Sequence, residues 1–516
     1  MKAVLIGVVA LLLVACGTTV RGHSTAEGPT GDNGLSAADN GGSGTGPGTG
    51  PGAGAGAGVG SGIGSGLGSS SAAGGSTLST SAGPTSLAAP GGATSAAPTG
   101  AGPPTSSASA ADLSPVEVGF IVEASDAALA SSLALSGVDN GDEPAYAAAM
   151  VAYVNAHGGL AGHRVTPVYY SLNPESTADY STLEQQACTA LTEDNHAIAG
   201  LTAFHNTADQ DFTACMEQHG AATIDPTGYA AGAAANYADY SDYFTPDGLE
   251  VERQAVAYVD GLDGEGFFAP GVKVGLLAED VPTYHSAITT ALEPTLAHYG
   301  VHLADVEYYP ETSSTSDLGS TVATISAAEL RFAADGIKRV MFLEDGALGA
   351  YELMLAADSQ GYYPRYGLST TDAPDGLIGL GAPKSELAGT VGIGWIPLSD
   401  VGSGEEGHAL PPGQDACLSV MHAAGAAMAD DTAEQVAMEY CEQLLFLQRA
   451  VDETGSPTLL GIRNGVDALG TTFASPETFE TRFDTAHHDG VAAYRPIAFV
   501  GTCSCFQYTG TLEPIP

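Results

Sequence analysis

Residues 154–165 read Val-Asn-Ala-His-Gly-Gly-Leu-Ala-Gly-His-Arg-Val and connect a predicted helix to a predicted strand. The helix is indicated by side chains that recur at helical spacing and share one face: Tyr146, Met150, Tyr153, Val154 and His157. Gly158 and Gly159 follow, at the point where helices often end with a left-handed residue. Residues 164–170 are rich in valine and tyrosine and predict a strand. Pro167 cannot donate to a ladder, so this strand is expected at a sheet edge.

An edge position suits the second strand of a doubly wound sheet in the flavodoxin-like order. An arbitrary helix-turn-strand unit would show the same local pattern, so the rest of the chain has to decide. Strands and helices alternate along most of it, which predicts parallel sheets. The predicted strands are 116–123, 164–170, 197–204, 222–225, 272–277, 301–309, 339–343, 365–369, 391–398 and 491–508. The predicted helices include 176–194, 208–219, 247–261, 284–299, 348–360, 416–429 and 433–454.

The run Asn155-Ala-His-Gly-Gly-Leu-Ala-Gly162 resembles a motif of the type I periplasmic solute-binding proteins, the group that includes branched-chain amino-acid receptors. In that family N-x-x-G-G-[IVL]-x-G commonly precedes the second strand. The resemblance extends over roughly residues 116–510. It implies an α/β fold of two doubly wound parallel-sheet lobes joined by a three-crossing hinge, with the ligand in the cleft between the lobes.

The resemblance also implies where the lobes begin and end. We expect the chain to cross between them near Tyr243, Ser399 and Gly470. The N-terminal lobe is then formed by residues 113–243 and 400–470, and the C-terminal lobe by residues 244–399 and 471–516.

The amino terminus reads as a lipoprotein signal peptide, residues 1–15. Lys2 begins a positively charged region, and the apolar residues 4–14 are too few to span a bilayer. Leu13-Val14-Ala15-Cys16 fits the bacterial lipobox, whose thiol carries lipid after cleavage. An ordinary secretory signal with a chance cysteine is the alternative. We expect several acyl chains on Cys16 to anchor the protein to the outer face of the bacterial cell membrane, so that its body is extracytoplasmic.

Composition separates a tether from the folded part. Residues 16–112 are mostly Gly, Ser, Pro, Ala and Thr, and such a segment is expected to be a disordered tether. The chain carries 60 acidic and 14 basic residues, a net charge of -46. This charge repels phosphate backbones and excludes nucleic acid as a partner.

Six cysteines remain after Cys16, an even number that favours disulfides in an exported protein. Six cysteines allow fifteen pairings. The family often joins consecutive helices of one lobe, which favours Cys188 with Cys215. Cys417 with Cys441 would join neighbouring helices, and Cys503 with Cys505 remains, near the limit of disulfide reach. Free buried thiols are the alternative.

Ligands of open parallel sheets bind beyond the carboxyl ends of the strands, so Ser125, after the first strand, is a candidate. By resemblance, the loops after strands three and four hold a ligand carboxylate through Phe204, His205, Asn206, Thr227, Gly228 and Tyr229. Tyr284 matches a family tyrosine of the C-terminal lobe, although His285 replaces the usual glycine. An acid near a later strand end commonly holds the ligand's ammonium group. The candidates are Asp372, beside Thr371, and alternatively Glu344 and Asp345. Each of these residues could equally be a solvated loop side chain.

These observations lead us to expect a monomeric solute-binding protein without a cofactor. It would capture a small polar molecule, an amino acid or related compound, and present it to an ABC-type permease. Tyr229 and Tyr284 could instead stack on an aromatic or sugar-like ligand. A ligand-sensing lipoprotein that signals to a partner and a cell-surface scaffold without ligand are the alternatives.

Motifs of common enzyme classes are missing from the sequence. It contains no Gly-x-Ser-x-Gly elbow and no Walker loop, so we do not expect an enzyme. His487-His488-Asp489 looks like a metal cluster, but adjacent residues on a helix or strand do not point at one ion. No metal site is therefore expected.

Overall fold

The structure is a computed structural model that describes residues 113–123, 140–172, 178–202, 209–226, 232–311, 317–405 and 407–516. The predicted signal peptide, Cys16 and the predicted tether lie outside the described residues. So do the loop residues Ser125, Phe204, His205, Asn206, Thr227, Gly228 and Tyr229.

The first sheet is entirely parallel. Its strands are β1 (Val116–Glu123), β2 (Val165–Leu172), β3 (Ala199–Leu201), β4 (Ala222–Ile224) and β5 (Tyr243–Phe244). They lie in the order β2-β1-β3-β4-β5. This is the predicted flavodoxin-like order, and the strand that contains Pro167 lies at the edge, as expected.

The second sheet is mixed. Its strands are β6 (Val274–Glu279), β7 (Leu303–Tyr309), β8 (Arg339–Leu343), β9 (Arg365–Leu368), β10 (Val391–Gly394), β11 (Ala493–Val500), β12 (Cys505–Tyr508) and β13 (Glu513–Pro514). The order is β12-β11-β10-β9-β8-β6-β7, with β13 beside β11. Strands β6 to β10 are parallel, whereas β11 runs antiparallel to β10 and β12. The single strand predicted at 491–508 was therefore wrong: a turn in which Ser504 has φ +60° folds it into a hairpin.

Helices flank both sheets. They are α1 (Glu143–Ala156), α2 (Tyr180–Thr192), α3 (Asp209–Gln218), α4 (Ala234–Asp239), α5 (Val251–Gly264), α6 (Pro282–Ala287), α7 (Glu293–His298), α8 (Leu318–Asp335), α9 (Leu348–Gln360), α10 (Pro374–Leu380), α11 (Lys384–Leu387), α12 (Pro397–Asp400), α13 (Gln414–Ala424), α14 (Asp431–Thr454) and α15 (Leu459–Leu469). A π-helical turn, Ile288–Leu292, joins α6 to α7, and a 3-10 turn, Thr370–Asp372, follows β9. The strand predicted at 391–398 ends early, because Pro397 begins α12.

The motif that carries the resemblance has a physical explanation. The Asn155 side chain accepts a hydrogen bond from the N–H of Val165 at 2.7 Å and donates to its carbonyl at 3.0 Å, which fastens α1 to the start of β2. Gly158 and Gly159 have φ values of +110° and +67°. A Cβ on Gly159 would lie 2.0 Å from the carbonyl oxygen of His163, so only glycine fits the turn.

The first core contains residues that are distant in sequence. Helices α13, α14 and α15 pack with the first sheet and α1, in one cluster that includes Leu398 and extends to Phe483. The Tyr440 hydroxyl of α14 lies 2.7 Å from the carbonyl oxygen of Ile121 and 2.8 Å from Glu143 Oε2. After β10 the chain thus returns to the first core, and it leaves again before β11.

Three disulfides join the pairs named from the sequence. Cys188 bonds Cys215 between α2 and α3, and Cys417 bonds Cys441 between α13 and α14. Cys503 bonds Cys505 at the turn between β11 and β12.

Candidate ligand site at the strand ends

Acidic and phenolic side chains collect at the carboxyl ends of the second sheet's parallel strands. Glu279 ends β6 and Tyr309 ends β7, while Glu344 and Asp345 follow β8 directly. Asp372 ends the 3-10 turn after β9. Parallel strands end at one edge of a sheet, so these side chains share that edge. We call Glu279, Glu344, Asp345 and Asp372 the strand-end acids.

Tyr309 connects two of these acids. Its hydroxyl lies 2.5 Å from Glu344 Oε2 and 3.3 Å from Glu279 Oε1. A phenol carries a single O–H, so the shorter contact receives the hydrogen. The rings of Tyr309 and Tyr284 are each 1% exposed, and burial is the main cause that raises their pKa values, followed by the charges of nearby acids.

Glu344 is oriented by the start of α9. It accepts backbone N–H bonds from Gly349 at 2.7 Å and Ala350 at 3.0 Å, in the first turn of that helix. Burial raises the pKa of Glu344 to about 7, although these donors and the Tyr309 hydroxyl lower it. A Cβ on Gly349 would lie 2.2 Å from Glu344 Oε2, so glycine is required for this contact.

Asp372 is held by its own turn. Its Oδ2 accepts the N–H of Ser369 at 2.5 Å and the Ser369 hydroxyl at 3.2 Å. Burial and then the charge of Glu344 raise the pKa of Asp372 well above its usual range. Thr371 is engaged elsewhere, because its hydroxyl oxygen accepts a bond from Gln254 Nε2 of α5 at 3.1 Å.

Three strand-end acids keep an oxygen without a hydrogen bond among the described residues. These atoms are Glu279 Oε2, Asp345 Oδ2 and Asp372 Oδ1. Burial raises the pKa of Glu279 and of Asp345 well above the usual range, with Asp345 the second cause for Glu279. Within the described part of the chain, no Lys or Arg forms an ion pair with a strand-end acid.

Charge is distributed unequally along the second sheet. Lys273 and Lys338 directly precede β6 and β8, while Arg339 and Arg365 begin β8 and β9. These four cations lie at the amino edge, opposite the strand-end acids. Lys273, Arg339 and Arg365 donate to main-chain carbonyls, for example Arg365 Nε to that of Gly389 at 2.7 Å. Lys338 Nζ lies 5.7 Å from the centroid of the Tyr362 ring. Carboxyl groups therefore collect at the carboxyl edge, and these four cations lie at the amino edge.

An acid also lies at the carboxyl edge of the first sheet. Asp225 follows β4, is fully buried, and accepts a hydrogen bond from the Tyr243 hydroxyl at 2.7 Å. The charge of Asp225 contributes to the raised pKa of Asp345, after burial and Glu311. Strand ends of both sheets are thus within electrostatic reach of each other.

The structure brings together four residues that were proposed from the sequence: Tyr284, Glu344, Asp345 and Asp372. Thr371 lies beside them but points its hydroxyl at α5. Glu279 and Tyr309 were missed as site residues. A signal was present, because each is the last residue of a predicted or observed parallel strand, and that position is where such sheets bind ligands.

A second group of buried acids lies where the chain passes between the two cores. Asp247 follows β5, Glu439 and Glu442 belong to α14, and Glu477 lies between α15 and β11. We call these four the crossing acids. The Ser475 hydroxyl donates to Glu442 Oε1. Burial raises the pKa of Glu442 to about 8. Burial, followed by the charges of Glu442 and Glu439, raises the pKa of Glu477 well above its usual range.

The other candidate metal groups have different explanations. His487 contacts Asp484 Oδ1 at 2.8 Å, His488 lies 3.4 Å from Asp467, and Asp489 pairs with Arg253, so these neighbours point to separate partners. Among the described residues, one set of three potential ligand atoms lies within 4.8 Å of one another: those of Glu405, Cys503 and Cys505. Its two sulfur atoms form a disulfide and are not thiolates.

Among the described residues, no helix is both long and apolar enough to cross a bilayer. No protein-family model and no curated protein sequence matches the chain.

Several solved structures have a similar fold. An ABC-transporter substrate-binding protein from Aeropyrum pernix is 15% identical, with a TM-score of 0.59 over 78% of this chain and 96% of that one. A solute-binding protein from Rhodopseudomonas palustris, solved with p-hydroxybenzoic acid, is 12% identical, with a TM-score of 0.55 over 78% and 97%. A possible leucine/isoleucine/valine-binding protein from Rhodopirellula baltica is 13% identical, with a TM-score of 0.53 over 78% and 97%. At these identities the likeness concerns the fold alone.

Proposed function

We propose that this chain, which has the type I periplasmic binding protein fold, is an extracytoplasmic solute-binding protein. It captures a small polar molecule, an amino acid or related compound, between two lobes and presents it to an ABC-type permease. The observation that carries the proposal is the position of Asp225 and of the strand-end acids at the carboxyl ends of parallel strands in the two sheets. Buried acids at such an edge are costly unless something binds them.

Two lobes follow from the proposal. The N-terminal lobe comprises residues 113–243 and 400–470, and the C-terminal lobe residues 244–399 and 471–516. Phe473 and Phe483 also pack in the first core, so contacts of that core continue beyond residue 470. The crossing acids lie along these connections.

Binding works by a shift between two arrangements of the lobes. In the open form the two carboxyl edges are separated and hydrated. A ligand that contacts both edges binds the closed form better, and only this difference in affinity shifts the population. The loops after β1, β3 and β4, with Ser125, Phe204, His205, Asn206, Thr227, Gly228 and Tyr229, would contribute the other side of the cleft.

The membrane anchor completes the proposal. A lipid on Cys16 and a tether over residues 16–112 would keep the binding part near a permease at the outer face of the cell membrane. The chain then performs no covalent chemistry: it binds, closes and releases. The partner recognises the closed form.

Scanning calorimetry of the purified chain with separate additions of amino acids, organic acids, amines and sugars tests the binding function. A ligand at a hundred times its Kd should stabilise the folded state by about 2.7 kcal/mol. The stabilising compound should also reduce the radius of gyration in small-angle scattering, because the lobes close. An unchanged melting temperature with every compound at millimolar concentration would contradict the proposal.

A further inference from the structure

The strand-end acids provide more carboxyl groups than a single ammonium group can pair with. Four carboxyl groups share this edge, and Arg339 and Arg365, the basic residues of the sheet's parallel strands, lie at its opposite edge. Arg495 of β11 lies opposite Gly394 and donates to the carbonyl of Gly510. Glu344 and Asp372 influence each other, because the charge of Glu344 raises the pKa of Asp372. One proton shared by Glu344 and Asp372 leaves one negative charge on that pair. Glu279 and Asp345 remain.

Glu279 and Asp345 have the features of ligand-facing groups. Glu279 is 5% exposed, and its Oε2 has no hydrogen-bond partner among the described residues. Asp345 is half-buried, and its Oδ2 is also without such a partner. Their charges act on each other, so the two carboxyl groups lie within electrostatic reach of each other. A buried carboxylate oxygen without a donor is costly, and a bound cation would remove that cost.

The spacing of these acids does not suit a metal ion. Within the described residues, the strand-end acids do not supply three oxygen atoms within 4.8 Å of one another. A calcium or magnesium ion needs oxygen ligands that converge at about 2–2.6 Å from one centre. The positive charges that fit this edge must therefore be separated from each other along a molecule.

We propose that the cleft selects a small organic dication, a diamine whose ammonium groups bind Glu279 and Asp345 separately. This inference rests on the proposed solute-binding function and narrows its ligand class. Each ammonium group offers three N–H donors, which the free oxygens can accept. Tyr309 lies at the same edge, where its hydroxyl contacts Glu344 Oε2 at 2.5 Å and Glu279 Oε1 at 3.3 Å.

Protons occupy this site when the dication does not. The titratable groups that face Glu279 and Asp345 are the following: Asp225, Tyr284, Tyr309, Glu311, Glu344 and Asp372. Burial and mutual repulsion raise the pKa values of Glu279 and Asp345, so both tend to stay protonated in the absence of a cation. A dication must displace these protons, and its affinity should therefore rise with pH.

Isothermal titration calorimetry of the full chain tests the inference. The probes are 1,4-diaminobutane, 1-aminobutane, L-leucine and 4-hydroxybenzoate at pH 7.5. We expect 1,4-diaminobutane to bind at least tenfold more tightly than 1-aminobutane. We also expect its affinity to increase between pH 6 and pH 8. If L-leucine or 4-hydroxybenzoate binds and the diamine does not, the dication inference is wrong while the solute-binding function stands. If none of the probes binds, this result contradicts both.

Charge-neutral variants locate the two contacts. Glu279→Gln and Asp345→Asn should each weaken diamine binding at least tenfold and leave 1-aminobutane binding within threefold. Glu386→Gln is the matched control, because Glu386 is 1% exposed and accepts a tyrosine hydroxyl bond, from Tyr366, but lies away from this edge. If Glu279→Gln fails to fold, the more exposed Asp345→Asn carries the same test. Equal diamine affinity in Asp345→Asn and the parent chain would overturn the inference.

Discussion

The strand-end acids and the crossing acids are two groups of buried carboxyls with similar chemistry and different surroundings. Both have raised pKa values because of burial, and in both some oxygens lack a hydrogen-bond donor among the described residues. The strand-end acids lie at the carboxyl edge of the second sheet, where the first turn of α9 and the Tyr309 hydroxyl orient Glu344. The crossing acids lie on α14 and a connecting segment. Position in the fold, rather than acidity, therefore distinguishes the proposed binding site from the crossing acids.

Among variants that test this difference, Gly349→Ala should have the largest effect on ligand affinity. The added Cβ would lie 2.2 Å from Glu344 Oε2 and 2.8 Å from Tyr309 Cε1, so it must displace both side chains. We expect ligand affinity to fall about a hundredfold, equivalent to about 2.7 kcal/mol. The free energy of unfolding should also fall, by about 1–3 kcal/mol. Calorimetric titration and denaturant unfolding measure the two quantities.

Gly319→Ala is the control for this change. Gly319 is in α8, and a Cβ there would meet no atom within 4 Å. This variant should bind ligand normally and gain about 0.5–1 kcal/mol of stability, because alanine favours a helix. Equal loss of affinity in both glycine variants would show that Glu344 is not part of the site.

The crossing acids should control stability without affecting ligand affinity. The pKa of Glu442 is raised to about 8, against about 4.3 in an unfolded chain. The folded state thus binds more protons between these values, so the free energy of unfolding falls as pH rises from about 4 to 8. Glu442→Gln should remove part of this pH-dependent decrease in the free energy of unfolding. It should stabilise the chain at pH 8 by on the order of 2 kcal/mol, with little change at pH 4.

Denaturant unfolding at both pH values provides this measurement. The same variant should keep its ligand affinity within twofold of the parent chain. A tenfold loss of ligand affinity in Glu442→Gln would show that the crossing acids also contribute to ligand binding, which contradicts the proposed difference between the two groups.

A smaller effect is expected for Tyr309→Phe. The change removes the hydroxyl that lies 2.5 Å from Glu344 Oε2 and helps to stabilise its carboxylate. The pKa of Glu344 should rise, and binding of a cationic ligand at pH 7 should weaken about fivefold, equivalent to about 1 kcal/mol. At pH 8.5 the loss should shrink, since a higher pH restores the carboxylate. Tyr366→Phe, which removes the donor to Glu386 at 2.7 Å, should leave affinity unchanged at both pH values.

The smallest effect should come from Tyr284→Phe. Tyr284 is 1% exposed and packs in an apolar cluster with Leu276 and Ile288, so its ring contributes mainly to packing. Removing the hydroxyl should change ligand affinity by about twofold, roughly 0.4 kcal/mol. Tyr284→Ala, in contrast, should lower the melting temperature even without ligand, since it deletes a buried ring. A tenfold loss of affinity in Tyr284→Phe would assign its hydroxyl a direct role in binding.

The sequence predicted much of the fold because the decisive signals were local. Within residues 154–165, the Asn155 side chain and the conformation of Gly159 specify the turn between α1 and β2. Pro167 indicated that its strand lies at a sheet edge. Helix α15 was missed for a physical reason. Gly461 and Gly465 lower its intrinsic helix propensity, yet a Cβ on Gly465 would lie 1.8 Å from the carbonyl oxygen of Ala450. Gly465 serves close packing against α14, which no local pattern reveals.

The candidate site was less accessible to sequence analysis. Tyr284, Glu344, Asp345 and Asp372 could be named because each follows or ends a recognisable element. Glu279 and Tyr309 were passed over, since their importance depends on contacts between strands that are 30 residues or more apart. The difference between strand-end and crossing acids likewise depends on three-dimensional position.

A crystal structure of the chain with 1,4-diaminobutane is the most direct test of the central claim. The account predicts one ammonium group within about 3 Å of Glu279 and the other within about 3 Å of Asp345. It also predicts that the loops after β3 or β4 contact the same molecule. A diamine bound at the crossing acids, or held by the second sheet alone with the first sheet's strand ends turned away, would contradict the account.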